Sequence, residues 1–213
     1  METPLRAGLQ ALGLELVDAQ VFALLDYLSL IQKWTRVYNL TAVRDPQAML
    51  THHLLDSLAV IGPMQRQLTA LGAGDSLRVL DVGSGAGLPG VVLAICCPAL
   101  TVHCVDTVAK KAAFVQQVAA GLSLPNLRGI HARVESLTEP YDLVCSRAFA
   151  SLVDFTTWSA AALAPRGIWM AMKGKNPQAE TEALGAGVQV FHVEPLQVPG
   201  LEADRCLVWM RRT

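Results

Sequence analysis

Apolar residues recur with a helical period along the first third of the chain. Val21, Leu24, Leu25, Leu28 and Ile31 follow the i, i+3, i+4, i+7 spacing of one helix face, and Trp34 and Val37 extend it. Asp45-Pro46 predicts a second helix start, with Asp as N-cap and Pro at the first helical position. Met49, Leu50, Leu54, Leu58 and Ile61 continue that stripe, and Gly62-Pro63 is expected to stop it. The small residues from Gly72 to Ser76 read as a boundary. Beyond them the pattern changes to short apolar runs alternating with helical stretches. Strands are expected at 77–82, 101–105, 127–131, 141–146, 167–172, 188–193 and 206–210, with helices near 90–96, 109–121 and 152–163. Such alternation predicts an α/β sheet with helices on both faces. The chain therefore divides into an N-terminal helical extension, residues 1–71, and an α/β domain, residues 72–213.

Composition narrows the classes. Of the 213 residues 52% are hydrophobic and 16% charged, which excludes a disordered chain. No apolar run approaches the roughly 18–20 residues of a membrane span, and Met1 to Arg6 lacks the basic-then-apolar order of a secretory signal. No membrane partner is expected. Five cysteines, Cys96, Cys97, Cys104, Cys145 and Cys206, form no C-x-x-C pair and mostly sit in apolar runs. That usage fits small core residues in a reducing, cytoplasmic compartment. The net charge of −1 does not advertise nucleic-acid binding. The tail nevertheless carries Arg147, Arg166, Lys173, Lys175, Arg205, Arg211 and Arg212. His52 and His53 lack the cysteine or carboxylate companions of a metal centre, so no metal is expected. A histidine packed where extension and domain meet is the simpler reading.

The chemistry concentrates at Asp81-Val-Gly83-Ser-Gly85-Ala-Gly87-Leu88-Pro-Gly90, an apolar strand ending in a carboxylate and a glycine turn. Glycine tolerates positive φ and lets a ligand lie on the backbone, and this turn is the nucleotide-binding corner of a doubly wound sheet. A phosphate-binding P-loop would need Lys and Ser or Thr after the glycines; Leu88-Pro89-Gly90-Val91 stand there instead. A dinucleotide G-x-G-x-x-G can be placed on Gly85, Gly87 and Gly90, in a register several residues beyond the strand. An acidic residue followed by G-x-G-x-G, the pattern of S-adenosylmethionine (SAM) methyltransferases, fits Asp81, Gly83, Gly85 and Gly87 without adjustment. SAM has no phosphates and carries an amino group and a sulfonium, so a carboxylate at the corner is electrostatically favourable. Asp106, closing the second strand, can accept from both ribose hydroxyls of either cofactor. Val134 and Glu135 follow the third strand, where an adenine would find an apolar face and a polar edge.

The end of the fourth strand should face the reacting group. It reads Ser146-Arg147-Ala148-Phe149, without the N/D-P-P-Y of exocyclic amine methylation. Cys145 lies within the strand as packing rather than as the nucleophile that carbon methylation needs. An acceptor that is already nucleophilic, such as guanine N7, satisfies these conditions, as do many others.

Tyr38-Asn39-Leu40-Thr41-Ala42, His53-Leu-Leu-Asp56-Ser57, the 81–90 motif and Ser146-Arg147-Ala148-Phe149-Ala150 together resemble the RsmG (GidB) family of bacterial 16S rRNA guanine-N7 methyltransferases. Lys173-Gly174-Lys175 and Arg205 also match its pattern, whereas Lys110-Lys111 stands where the family more often has Lys-Arg. The resemblance implies a Rossmann-like SAM-dependent methyltransferase sheet with an N-terminal helical extension. It implies SAM contacts at Gly83, Leu88, Val134, Glu135 and Arg147, and 16S rRNA as partner, alone or within the small subunit or its precursor. With Asp81 and the glycines on the methionine end and Asp106 on the ribose, Arg147, Lys173 and Arg205 are the expected substrate-side groups, binding phosphate or guanine O6. Any base contact must leave N7 free. A monomer is expected. The alternatives are an NAD-dependent oxidoreductase using Gly85, Gly87 and Gly90, and a SAM-binding RNA module that transfers no methyl. Asn39 reads as a helix terminator, and Trp34, Trp158, Trp169 and Trp209 as core or near-core residues.

Overall fold

The computed structural model describes residues 1–72, 77–174 and 177–213. Positions 73–76 of the expected boundary, and Lys175, lie outside the described residues. The extension holds α1 (Glu2–Ala11) and α2 (Asp18–Tyr38), the latter formed where the 3.6-residue period predicts it. Asn39, at φ 52° and ψ 51°, ends α2 in the left-handed conformation. Asp45 caps α3 (Pro46–Met49) by accepting the Ala48 N–H at 2.8 Å. The chain then winds one π-helical segment, Leu50–Leu55, before α4 (Asp56–Leu58) and α5 (Ile61–Ala70). Gly62-Pro63 does not stop a helix as expected. It sits in the first turn of α5, where proline sacrifices no intrahelical hydrogen bond.

The domain alternates as the pattern predicts: β1 (Arg78–Val82), α6 (Gly90–Cys96), β2 (Thr101–Asp106), α7 (Ala109–Gly121), β3 (Leu127–His131) and β4 (Tyr141–Arg147). After these come α8 (Leu152–Trp158), β5 (Leu163–Lys173), α9 (Gln178–Glu182), β6 (Val188–Pro195) and β7 (Cys206–Arg212). The helix expected at 152–163 ends early, at Trp158, and β5 begins at Leu163. Pro165 disfavours helix at the residue before it, which turns the chain into the strand sooner.

The seven strands lie in the order β3-β2-β1-β4-β5-β7-β6, parallel through β5, with β7 antiparallel to both its neighbours. Winding reverses between β1 and β4, which opens a crevice at the carboxyl ends of those strands. One face of the sheet, with Val79, Leu143, Cys145 and Met170, shares a core with α1, α2, α5, α6 and α7. The other, with Leu80, Val82, Val144 and Trp169, packs under α8. Cys145 is thus a fully buried packing residue.

Two side chains of α2 tie it to the domain. Tyr27 Oη donates to the Ala86 carbonyl at 2.6 Å, inside the glycine turn, and Gln20 Nε2 donates to the Ile95 carbonyl at 2.9 Å, at the end of α6. We propose that residues 1–71 are an extension of domain 72–213 rather than a separately folding unit. Residues 72–213 expressed alone would expose the face formed by Val91, Val92 and Val115, which the extension covers. The fragment is expected to aggregate or to lack a cooperative thermal transition by circular dichroism. A soluble fragment that melts cooperatively would show the extension to be dispensable for folding.

Candidate active site

The glycine turn is built by backbone geometry that only some residues tolerate. Gly83, Gly85 and Gly87 all have positive φ, 65°, 59° and 88°. The three serve different ends. A Cβ on Gly83 would meet the Phe149 ring at 2.3 Å, whereas one on Gly85 would meet nothing within 4 Å. A Cβ on Gly87 would strike Val91 at 2.4 Å and Val115 at 3.2 Å, so Gly87 faces the core rather than a ligand. Gly90 lies equally close to Cys104 Sγ, at 2.4 Å from its ideal Cβ.

Asp81 is 0% exposed beneath this turn. Its Oδ2 accepts the Gly90 N–H at 2.9 Å, and its buried Oδ1 has no partner among the described residues. Burial pushes its carboxyl up to about 7, against the lowering effect of the Gly90 amide. Asp81 therefore braces the turn from below and does not line the cavity above it. The pyrophosphate of a dinucleotide would need that same helix-start amide. A carboxylate already holds it, on a helix of only seven residues, which argues against the oxidoreductase alternative. Leu88 is also buried in the core and lines neither cavity of the site.

A first cavity of about 380 Å³ lies over the ends of β1, β2 and β4, in the range of small-molecule sites. Gly83, Asp106, Val134 and Glu135 all line it. Asp106 Oδ2 accepts from Gly85 N at 3.0 Å and Oδ1 from Val108 N at 2.8 Å, which fixes the carboxylate at the cavity edge. Lys111 Nζ stands 3.7 Å from Oδ2. Val134 is buried and supplies an apolar floor; Glu135 is exposed and pairs with Arg133 at 3.3 Å. Trp158 is 38% exposed and lines the same cavity, so it belongs to the ligand wall rather than to the core. Phe149 makes an edge contact with its ring at 5.9 Å. Periodicity could not separate Trp158 from a core tryptophan, because a cavity wall and a core are both apolar. An anchored carboxylate, an apolar floor and an aromatic wall fit a nucleoside without phosphates, as SAM is.

A second cavity of about 330 Å³ gathers Arg147, Lys173 and Arg205 with His52, His53 and Asp56. The three basic residues expected on the substrate side are thus brought together, but each has a partner. Arg147 Nη1 donates to Asp56 Oδ2 and to the His52 carbonyl, at 2.9 and 2.8 Å. Arg205 Nε donates to Asp56 Oδ1 at 2.9 Å. Lys173 Nζ pairs with Glu180 Oε2 at 2.8 Å and donates to the Ala150 carbonyl at 3.2 Å. His53 bonds Thr41 Oγ1 at 2.9 Å; burial, followed by the nearby Arg147, lowers its pKa to about 4 and keeps the ring neutral. Among the described residues no cluster of His, Cys, Asp or Glu could hold a metal ion. Ala148 lines both cavities, at φ 51°, a conformation uncommon outside glycine. The two cavities meet there.

Residues 20–208 match the family described as rRNA small subunit methyltransferase G. A protein of Albidiferax ferrireducens named ribosomal RNA small subunit methyltransferase G is 66% identical over 219 residues, covering 100% of this chain and 98% of that protein. One from a Polaromonas species with the same name is 66% identical over 210 residues, covering 99% of this chain and 93% of that protein. Among solved structures, TrmN from Thermus thermophilus shares the fold with a TM-score of 0.56 at 19% identity, over 70% of this chain and 48% of that one.

Two outcomes are expected of substitutions in the turn. Gly83→Ala strains the left-handed position by about 1–2 kcal/mol and drives Phe149 toward the first cavity, so SAM affinity in calorimetric titration should fall by about tenfold. Wild-type affinity would show that Phe149 yields without cost. Asp81→Asn removes a buried group whose folded pKa of about 7 lies above its ordinary 3.8. The folded state then holds the extra proton between those values, so Asp81 costs stability increasingly as pH rises through that window. The melting temperature of Asp81→Asn relative to wild type should therefore climb from pH 5 to pH 8. A pH-independent difference would refute the raised pKa.

Proposed function

The chain belongs to the rRNA small subunit methyltransferase G family, and on that premise we propose that it transfers a methyl group from SAM to N7 of one guanosine in 16S rRNA. The observation that carries this reading is the meeting of the two cavities at Ala148, one shaped for a phosphate-free nucleoside and the other carrying the cations. SAM, when bound, supplies an electrophilic methyl carbon on a sulfonium. The protein supplies the rest by placement. Asp106 would accept from the ribose hydroxyls, Val134 and Trp158 would flank the adenine, and Gly83 would let the chain of the cofactor lie on the backbone. Arg147, at the end of β4 beside Ala148, lines the second cavity and not the first, which favours a substrate-side role over the SAM contact that the resemblance implies.

Guanine N7 offers a lone pair and bears no proton, so no group of the protein need remove one. The buried Cys145 lies on the core side of β4, burial holds its thiol well above the usual range, and His53 is bonded to Thr41. Neither is placed as base or nucleophile. Positioning carries the reaction. Cys96, Cys97, Cys104 and Cys145 form no disulfide, and no described helix is long and apolar enough to cross a membrane. Reduced thiols fit a reducing compartment such as the cytoplasm, and the substrate proposed there is 16S rRNA, alone or within the small subunit or its precursor.

The test is methyl transfer from labelled SAM to unmodified 16S rRNA and to small subunits, with 7-methylguanosine mapped by chemical cleavage. Substituting 7-deazaguanosine at the mapped position replaces the N7 lone pair with carbon and should abolish transfer. Cys145→Ala should retain activity within a few-fold. Undiminished methylation of the deaza substrate would exclude N7, and loss of activity in a folded Cys145→Ala would reopen a covalent route.

A further inference from the structure

Asp56 comes from neither the strands nor the loops that carry the other charged groups of the second cavity. It opens α4 directly after the π-helical segment, and its side chain is 3% exposed. A π-helix hydrogen-bonds five residues back and shifts the side chains that follow it around the axis; such segments gather at functional sites. Here the shift leaves His53 and Asp56 both on the cavity wall. The two oxygens of Asp56 are divided between arginines far away in the chain, Oδ2 to Arg147 at the end of β4 and Oδ1 to Arg205 just before β7. A guanidinium has five N–H donors. The bonds seen among the described residues employ Nη1 of Arg147, and Nε and Nη1 of Arg205, and leave other donors of each fork for a ligand.

Charge gives the arrangement its meaning. Three cations without counter-ions would make a general phosphate sink. Asp56 and Glu180 leave the group with one net positive charge. A base methylated at N7 becomes cationic, since the lone pair forms the new N–C bond and no proton leaves. A carboxylate at the arginine pair offsets the repulsion that this developing charge would otherwise meet.

We infer that Asp56 is a positioning residue for methyl transfer, stapling Arg147 and Arg205 into one fixed pair that receives the guanine base instead of backbone phosphate. This rests on the methyltransferase reading of the same site. It gives the N-terminal extension a share in the chemistry.

The isosteric Asp56→Asn keeps the shape and removes the charge. Its single-turnover transfer rate at saturating 16S rRNA should fall about 10–100-fold, as misplacement of positioning groups does. RNA affinity at low salt should hold or rise, with a salt dependence steeper by about one phosphate contact, while SAM affinity stays at the wild-type value. In an Arg205→Ala background the same substitution should cost less than in wild type, because Asp56 acts partly through that arginine. An unchanged rate would overturn the inference. So would a parallel loss of RNA affinity with a flatter salt slope, or a joint collapse of SAM affinity and melting temperature, or equal costs in both backgrounds. Absence of transfer by the wild-type protein itself would instead refute the methyltransferase reading.

Discussion

The glycine turn after β1 is held in an intrinsically costly shape by three side-chain hydrogen bonds from three different parts of the chain. Asp81 accepts from Gly90 below it, Asp106 accepts from Gly85 beside it, and Tyr27 of α2 donates to Ala86 behind it. Each left-handed residue in such a turn would cost an ordinary side chain about 1–2 kcal/mol, and a buried carboxylate costs more unless it is bonded. The strands fix where Asp81 and Asp106 stand, because β1 and β2 pair in parallel register with Asp81 opposite Cys104. Once the turn is pinned, the start of α6, the edge of the first cavity and the position of Phe149 above Gly83 all follow.

Tyr27 also explains why the extension is part of the site. It reaches the turn through the core shared with α6 and α7, while the π-helical segment farther along carries His53 and Asp56 to the second cavity. The extension therefore reaches the glycine turn through a hydroxyl and the second cavity through a carboxylate. Both are buried, and both are bonded to groups at least 59 residues away in the chain.

The strands were legible because parallel strands covered on both faces read as continuous apolar runs, as at Val79–Val82 and Val102–Val105. The winding of α2 was legible from its period. The fate of Gly62-Pro63 was not, since the same pair suits a helix end or the first turn of another. Among site residues, Gly83, Asp106, Val134 and Glu135 reach the first cavity, and Arg147, Lys173 and Arg205 share the second. Motif spacing could not tell that Asp81, Gly87 and Leu88 face inward, because strand and turn positions alternate between ligand and core without changing residue type. Asp56 was invisible as a partner of Arg205 because their separation of 149 residues leaves no local signal. Trp158 was hidden by its apolar neighbours.

If the second cavity receives the guanine, electrostatics separates base from phosphate there. Two like charges about 4 Å apart oppose each other by about 4 kcal/mol at an effective dielectric of 20, which corresponds to about three powers of ten in rate. A guanine that turns cationic among three uncompensated cations would meet a penalty of that order. Asp56 and Glu180, each within 3.0 Å of a cation, oppose it. A pocket made wholly neutral or negative would have the opposite fault and retain its cationic product. One residual positive charge is compatible with both demands: it admits a neutral base that offers acceptors, and it does not hold the base once methylated.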